Sequence, residues 1–164
     1  MAVYPAMSDE VKFLADEMLG RLAKWLRILG YDTAYLSPAS DHALVRLARA
    51  EGRVLLTRDT GLARRRGLQI LLIESEQVEE QVRQVLDDLS LTASGSFSRC
   101  PVCNTPLEEL DRAAVADRVP PYVLRTQERF SRCPHCDRTY WRGTHWARMR
   151  ERIEELRRGA NKAG

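Results

Sequence analysis

The chain has 164 residues, of which 44% are hydrophobic and 30% charged, with a net charge of +3; this suits a soluble protein of one ordinary domain plus a small appendage. No apolar run approaches the roughly 18–20 residues that cross a bilayer, and Met1–Glu10 has neither the basic head nor the apolar core of a secretory signal. Membrane-spanning and secreted classes are thereby excluded as expectations, and the cytoplasm is the default compartment.

The charge is unevenly spread. Residues 1–92 carry 12 Lys+Arg against 14 Asp+Glu, whereas residues 93–164 carry 14 against 9. A basic tail on a slightly acidic body points to an anionic partner. Of the 26 basic residues 23 are arginine, which suits bidentate phosphate contacts but equally fits a bias of genome composition.

In chain order, Val11–Ala15 reads as a buried strand and Met18–Leu29 as a helix, with Leu19, Leu22, Ala23, Leu26 and Leu29 on one face and Gly30 as its C-terminal cap. Thr33–Leu36 is a short strand and residues 37–40 a loop. Asp41–Glu51 is a helix that turns Leu44, Leu47 and Ala48 inward and ends at Gly52. Arg53–Thr57 is the third strand, Gly61–Gly67 a turn or short helix, Gln69–Ile73 the fourth strand, and Glu76–Leu89 a helix with Val78, Val82, Val85, Leu86 and Leu89 on one face. This alternation predicts a three-layer α/β fold with a mostly parallel sheet. Right-handed crossovers then place the first and third strands side by side, with the second and fourth flanking them.

Residues 90–98 read as a linker. Beyond it, Arg99-Cys100-Pro101-Val102-Cys103 and Arg132-Cys133-Pro134-His135-Cys136 repeat one turn, with a spacer of 29 residues between Cys103 and Cys133. Four thiolates so arranged close a tetrahedral Zn²⁺ shell with no open position, hence a structural site; a pair of redox dithiols is the alternative. A ribbon this small draws much of its folding energy from the metal. Arg138, Tyr140, Trp141, Arg142, His145 and Trp146 then mix cations with stacking surfaces, as single-stranded nucleic acid requires; the competing reading makes Tyr140, Trp141 and Trp146 the ribbon's small core. Ala147–Arg158 is a charged terminal helix. The divisions are thus 10–92, 98–149 and a basic 150–164.

Asp16 and Asp59 follow the first and third strands. In an open parallel sheet, ligands bind beyond the carboxyl ends of the strands, and two carboxylates there repel unless a cation joins them. Asp41, Glu17 and Glu74 are further candidates. Asp16, Asp41 and Asp59 form an oxygen-ligand set for Mg²⁺ or Mn²⁺, ions that activate water and stabilise the leaving oxygen in phosphodiester hydrolysis. Each residue has a plainer role available: Asp16 as a helix cap, Asp41 against a helix dipole, Asp59 as a turn residue. Arg21, Lys24 and Arg58 are placed to hold phosphates, with Arg64–Arg66 more plausibly a solvated face.

The segments FLADEMLGRLAKWLRILGYDT, RVLLTRDTGL, SRCPVCNTPL, RVPPYV and RCPHCDRTYWRGTHW, in that order, resemble the PIN-like RNase domain first named as the C-terminal RNase domain of the Mut-seven proteins, with its fused zinc ribbon. The resemblance spans about residues 11–149. It implies a PIN-like α/β/α sandwich, metal-dependent cleavage of RNA, and catalytic roles for Asp16, Asp59 and Asp41. It also departs from the PIN pattern, because Thr60-Gly61-Leu62 stands where a further acid often follows the third-strand Asp. That leaves the fourth ligand and the number of metals open. By analogy with two-metal nucleases the product carries a 5′-phosphate. Two other readings stand beside this one. An RNA-binding adaptor would keep the fold without turnover. A receiver domain would use Asp59 as phosphoacceptor and Ser75 as its switch hydroxyl, but needs a fifth strand and a lysine after it.

Overall fold

The computed structural model describes residues 11–92 and 97–163, the last four by backbone alone. The expected linker thus lies partly outside the described residues. Four short strands, β1 (Lys12–Ala15), β2 (Asp32–Tyr35), β3 (Val54–Thr57) and β4 (Ile70–Leu72), form one parallel sheet in the order β2-β1-β3-β4. Phe13 lies opposite Val54 and Ala15 opposite Leu56. The chain leaves β1 toward β2 on one side and returns to β3 on the other, so the switch point lies between the carboxyl ends of β1 and β3. The α/β architecture is that of the sequence reading. Among the described residues no fifth strand joins the sheet, which removes the layout a receiver requires.

Strand alternation decides the layers. Phe13, Ala15, Val54 and Leu56 face one side and pack with α1 (Gly20–Ile28) and α3 (Val78–Asp88). Leu14 and Leu55 face the other and pack with Leu44, Val45 and Ala48 of α2 (Asp41–Glu51). Gly52 ends α2 at φ 64, a left-handed conformation that a Cβ disfavours. The helix expected from Met18 begins instead as a 3-10 turn, Glu17–Leu19, capped by Asp16.

The C-terminal half builds a second, antiparallel sheet from β5 (Glu108–Leu110), β6 (Phe130–Arg132) and β7 (Thr139–Trp141). Two short helices, α4 (Arg112–Val115) and α5 (Pro121–Thr126), fill the spacer between the cysteine pairs, and Val115, Val119 and Val123 pack on Phe130. The terminal helix α6 (Thr144–Ala163) is not an appended tail. Trp146, Met149 and Ile153 enter the same buried cluster as α1 and α3, and Arg157 bonds Asp87 Oδ1 at 2.7 Å and the Leu91 carbonyl at 2.8 Å. Ile153, within the segment set apart above as basic, therefore contributes to the core of the α/β layer. Among the described residues no helix is long and apolar enough to cross a membrane.

The ribbon is stapled to the sheet at its β2 edge. Thr33 presents its outward N–H to Asn104 Oδ1 (3.0 Å) and its carbonyl to Arg27 Nε (2.8 Å). Arg27 Nη1 also donates to the Pro101 carbonyl at 2.9 Å, and Asn104 Nδ2 to Asp32 Oδ1 at 2.7 Å. The first cysteine turn thus satisfies an edge strand that otherwise offers unpaired groups to another chain.

Candidate active site and metal centre

Asp16 sits where β1 ends. Its N–H donates to the Leu56 carbonyl at 3.1 Å, extending the ladder with β3 by one residue, and its side chain is 6% exposed. Oδ1 accepts from the Met18 N–H at 3.0 Å and Oδ2 from the Thr57 hydroxyl at 2.6 Å. The same hydroxyl accepts the Asp59 N–H at 3.0 Å. Thr57, fully buried at the end of β3, therefore links the two aspartates through one oxygen that donates once and accepts once.

Asp59 is exposed. Its Oδ1 takes the N–H groups of Gly61 (2.7 Å) and Leu62 (3.1 Å), which opens the 3-10 turn Leu62–Arg64. Oδ2 accepts no hydrogen bond among the described residues. The plainer roles of cap and turn residue are thus both present, yet they use only half of the Asp59 carboxylate. Asp41 is exposed in the first turn of α2, where Ser40 rather than Asp41 is the cap, accepting the Ala43 N–H at 3.1 Å. Asp16, Asp41 and Asp59 do not gather into a group of ligand atoms within 4.8 Å of one another; among the described residues only the cysteines do. Glu17 and Glu74 are exposed and stand outside any such group.

Do these residues fit a divalent cation? Asp16 is a buried carboxylate that enters no ion pair among the described residues. A buried charge is costly unless paired, and two hydrogen bonds supply only part of what a cation gives. Thr57 ties the Asp59 main chain, not its carboxylate, to Asp16; carboxylate oxygens are hard donors of the kind Mg²⁺ or Mn²⁺ takes, but those of the three aspartates do not converge within 4.8 Å. Arg58 lies beside the pair. Its Nη1 stands 3.6 Å from Glu76 Oε1, and its Nε is buried with no hydrogen-bond partner among the described residues. A buried donor without a partner is expensive. Arg21 and Lys24 are exposed on α1.

The cysteines are brought together as the spacing demands. Sγ atoms of Cys100, Cys103, Cys133 and Cys136 lie within 4.8 Å of one another, and none is in a disulfide. The two turns match bond for bond. Asn104 N–H reaches the Cys100 carbonyl and Asp137 N–H the Cys133 carbonyl, each at 2.8 Å. Both residues sit at φ 63, and the Cys103 and Cys136 N–H groups point at the first sulfur of each turn. Burial opposes ionisation of Cys100, but the Tyr140 hydroxyl at 3.1 Å, backbone N–H groups and Cys136 outweigh it and bring that thiol down to about 7. Cys103 moves up to about 12 through lost solvation and the neighbouring sulfurs of Cys136 and Cys100. Four thiols so close cannot all ionise without a cation among them, and sulfur donors in this number select zinc.

Of the residues expected to touch RNA from the ribbon side, Arg142 is half-buried and lies 5.1 Å from the Trp146 ring centroid. Trp146 is itself buried in the core cluster and carries Arg150 at 5.4 Å as well. Its ring packs into the core and also carries the two guanidinium groups. Trp141 is only partly buried and stays in contact with solvent. Sequence reasoning missed Thr57, whose signal is a polar residue closing an apolar strand two positions before an aspartate. It also missed the Arg27–Asn104 staple, for which no local signal exists.

A human (Homo sapiens) protein described as exonuclease mut-7 homolog is 33% identical over 101 residues, a stretch covering 57% of this chain and 12% of that protein. No solved structure matches. The model of the Mut7-C RNAse domain matches residues 11–153, nearly the full length of the described structure, and the chain belongs to that family.

Proposed function

We propose that the chain is a Mg²⁺- or Mn²⁺-dependent ribonuclease that hydrolyses phosphodiester bonds of single-stranded RNA. The observation that carries this reading is the buried Asp16 carboxylate, in no ion pair among the described residues and joined through the Thr57 hydroxyl to the Asp59 main chain at the sheet's switch point, in a chain of an RNase-domain family. Asp16 and Asp59, with Asp41, are the residues that hold the ion; when bound it supplies Lewis acidity and an activated nucleophile. The chain's own contribution is positional. Thr57 fixes the rotamer of Asp16, the Gly61 and Leu62 N–H groups fix Asp59, and the partly exposed Arg58 guanidinium adds positive charge beside Asp59. Exposed Arg21 and Lys24 add the non-specific attraction that any polyanionic backbone feels. Cys100, Cys103, Cys133 and Cys136 hold a structural Zn²⁺.

Cleavage of labelled single-stranded RNA by the zinc-loaded chain, with Mn²⁺, with Mg²⁺ and with no added divalent ion, tests this directly. Cutting that needs the added ion and vanishes in Asp59→Asn, with zinc content unchanged, is the expected result. That the three carboxylates do not gather within 4.8 Å of one another favours one rival, an RNA-binding adaptor without turnover. RNA that is bound but uncut under all three conditions establishes that rival instead.

A further inference from the structure

Four large hydrophobic residues are exposed among the described residues, and Met18, at 69%, is the most exposed of them. An isolated apolar side chain at a surface needs no explanation, but two features set this one apart. The first is how firmly its turn is held. The Tyr35 hydroxyl donates to the Glu17 carbonyl at 2.7 Å, the Met18 N–H to Asp16 Oδ1 at 3.0 Å, and the Leu19 N–H to the Asp16 carbonyl at 3.0 Å. Leu19 is buried in the core. Gly20 completes the seat: a Cβ there would stand 3.2 Å from the Tyr35 hydroxyl oxygen, so glycine lets the tyrosine lie against the turn. The backbone around Met18 is thus fixed on both sides, and it leaves the methionine in water while its successor Leu19 is buried.

The second is where the turn stands. The Met18 amide is one hydrogen bond from the Asp16 carboxylate, just past the carboxyl end of β1, where ligands enter an open parallel sheet. Arg21, three residues on, is exposed and in no ion pair among the described residues, and so is Lys24 one turn further. A long apolar side chain beside free cations matches a polymer that alternates flat rings with phosphates. Methionine suits the rings, because its flexible, polarisable thioether packs on an aromatic face without dictating which. Every base has such a face, and single-stranded RNA presents its bases unstacked. An apolar protein surface would take the methionine but would also cover Arg21 and the Asp16 carboxylate, at a cost in lost solvation.

We propose that Met18 is a substrate-contact residue, which packs its thioether against a base of single-stranded RNA beside the phosphate held at Asp16. The identity of the strand and the place of its phosphate rest on the ribonuclease reading. One base gripped in this way gives the site a hold on an unpaired nucleotide that does not depend on sequence. A base in a duplex is stacked between its neighbours and has no free face for the methionine, so Met18 selects single strands over double strands.

The test uses the zinc-loaded full chain labelled with ¹³C at its methionine methyl groups, with no added divalent ion so that hydrolysis does not run. It is titrated with penta-adenylate and with an abasic ribose-phosphate strand of the same length and charge. The Met18 signal is the one missing from Met18→Leu. The expected result is an upfield shift of that signal by the base rings of penta-adenylate and little movement with the abasic strand. The methyl of Met149, buried in the core, should stay still with both. Met18→Ala should weaken penta-adenylate binding about tenfold, the scale of burying one apolar side chain, and leave the abasic strand's binding nearly unchanged. Met18→Leu should keep most of the wild-type affinity. Met18 lies outside the core and bonds Asp16 through its backbone, so both variants keep the fold. A Met18 methyl unmoved by bound penta-adenylate, a Met18→Ala variant that weakens both strands alike, or no binding of either strand overturns the proposal. The two readings fail separately. An upfield Met18 shift in a chain that cuts no RNA when Mn²⁺ or Mg²⁺ is added overturns the ribonuclease alone. RNA cut by a chain whose Met18 signal ignores penta-adenylate overturns the contact alone.

Discussion

Thr57 is the residue on which the candidate active site turns. Its hydroxyl gives its proton to Asp16 and takes one from the Asp59 backbone, so Thr57→Val keeps shape and burial but strands a buried acceptor and a partly buried donor. Leaving buried groups unsatisfied costs about 1–3 kcal/mol. We therefore expect Thr57→Val to lower stability in urea by that amount and to cut the cleavage rate more than it weakens RNA binding. Thr57→Ser, which restores the hydroxyl, should recover most of both. A serine variant as inactive as the valine variant would mean that the threonine acts through its methyl packing and not through the bridge. Asp59→Asn is the complementary change, since it preserves the bonds to Gly61 and Leu62 through its Oδ1 and removes only charge.

At the scale of elements, legibility follows length and locality. Strands β1 and β3 and helices α1 to α3 are long or apolar enough for a period to show, and their order on the sheet follows from crossover handedness. The cysteine turns are legible because all their information lies within four residues. The spacer is not: α4 has 4 residues and β5, β6 and β7 have 3 each, too few for any period. Helix α6 hides its stripe of Trp146, Met149 and Ile153, at helical spacing, beneath a charged composition. Two expectations follow. Ile153, fully buried, should cost about 2–5 kcal/mol when cut to alanine, whereas exposed Arg152→Ala should change the urea midpoint hardly at all; equal small effects would place α6 off the core. The staple between ribbon and sheet has its own pH signature. Burial favours protonated Asp32, but hydrogen bonds from Arg53 and Asn104 and nearby arginine charge outweigh it and hold the carboxyl below its usual range. A carboxyl depressed in the folded state stabilises fully above its ordinary value of about 3.9 and loses that contribution as pH falls through the lower folded value. Thermal midpoints followed downward from pH 5 should therefore fall more steeply in the wild type than in Asp32→Asn, the two curves converging at the acid end.

For the whole molecule, the path of the chain matters more than any one contact. It builds the sheet, leaves to form the ribbon, and returns as α6 to complete the core that α1 and α3 began. The ribbon is thus a long loop closed at both ends by the body, and its internal order rests on the four cysteines and one small cluster around Phe130. A structural zinc held by four such cysteines would supply on the order of 10 kcal/mol or more, as in small domains of that kind. The body, by contrast, buries its own two apolar layers. Loop-closure entropy grows only slowly with loop length, so a ribbon loosened by metal loss should not undock α6. Removal of zinc by a chelator, or Cys103→Ser, should accordingly open residues 104–141 to limited proteolysis while far-UV circular dichroism stays mostly helical. The N-terminal fragment and the α6 fragment should remain together on a sizing column after the cut. The Asn104 staple should be lost with the turn that carries it, leaving the β2 edge exposed and the apo chain prone to self-association. Separation of the fragments after proteolysis would show instead that zinc holds the terminal helix in the core, and that ribbon and body fold as one cooperative unit.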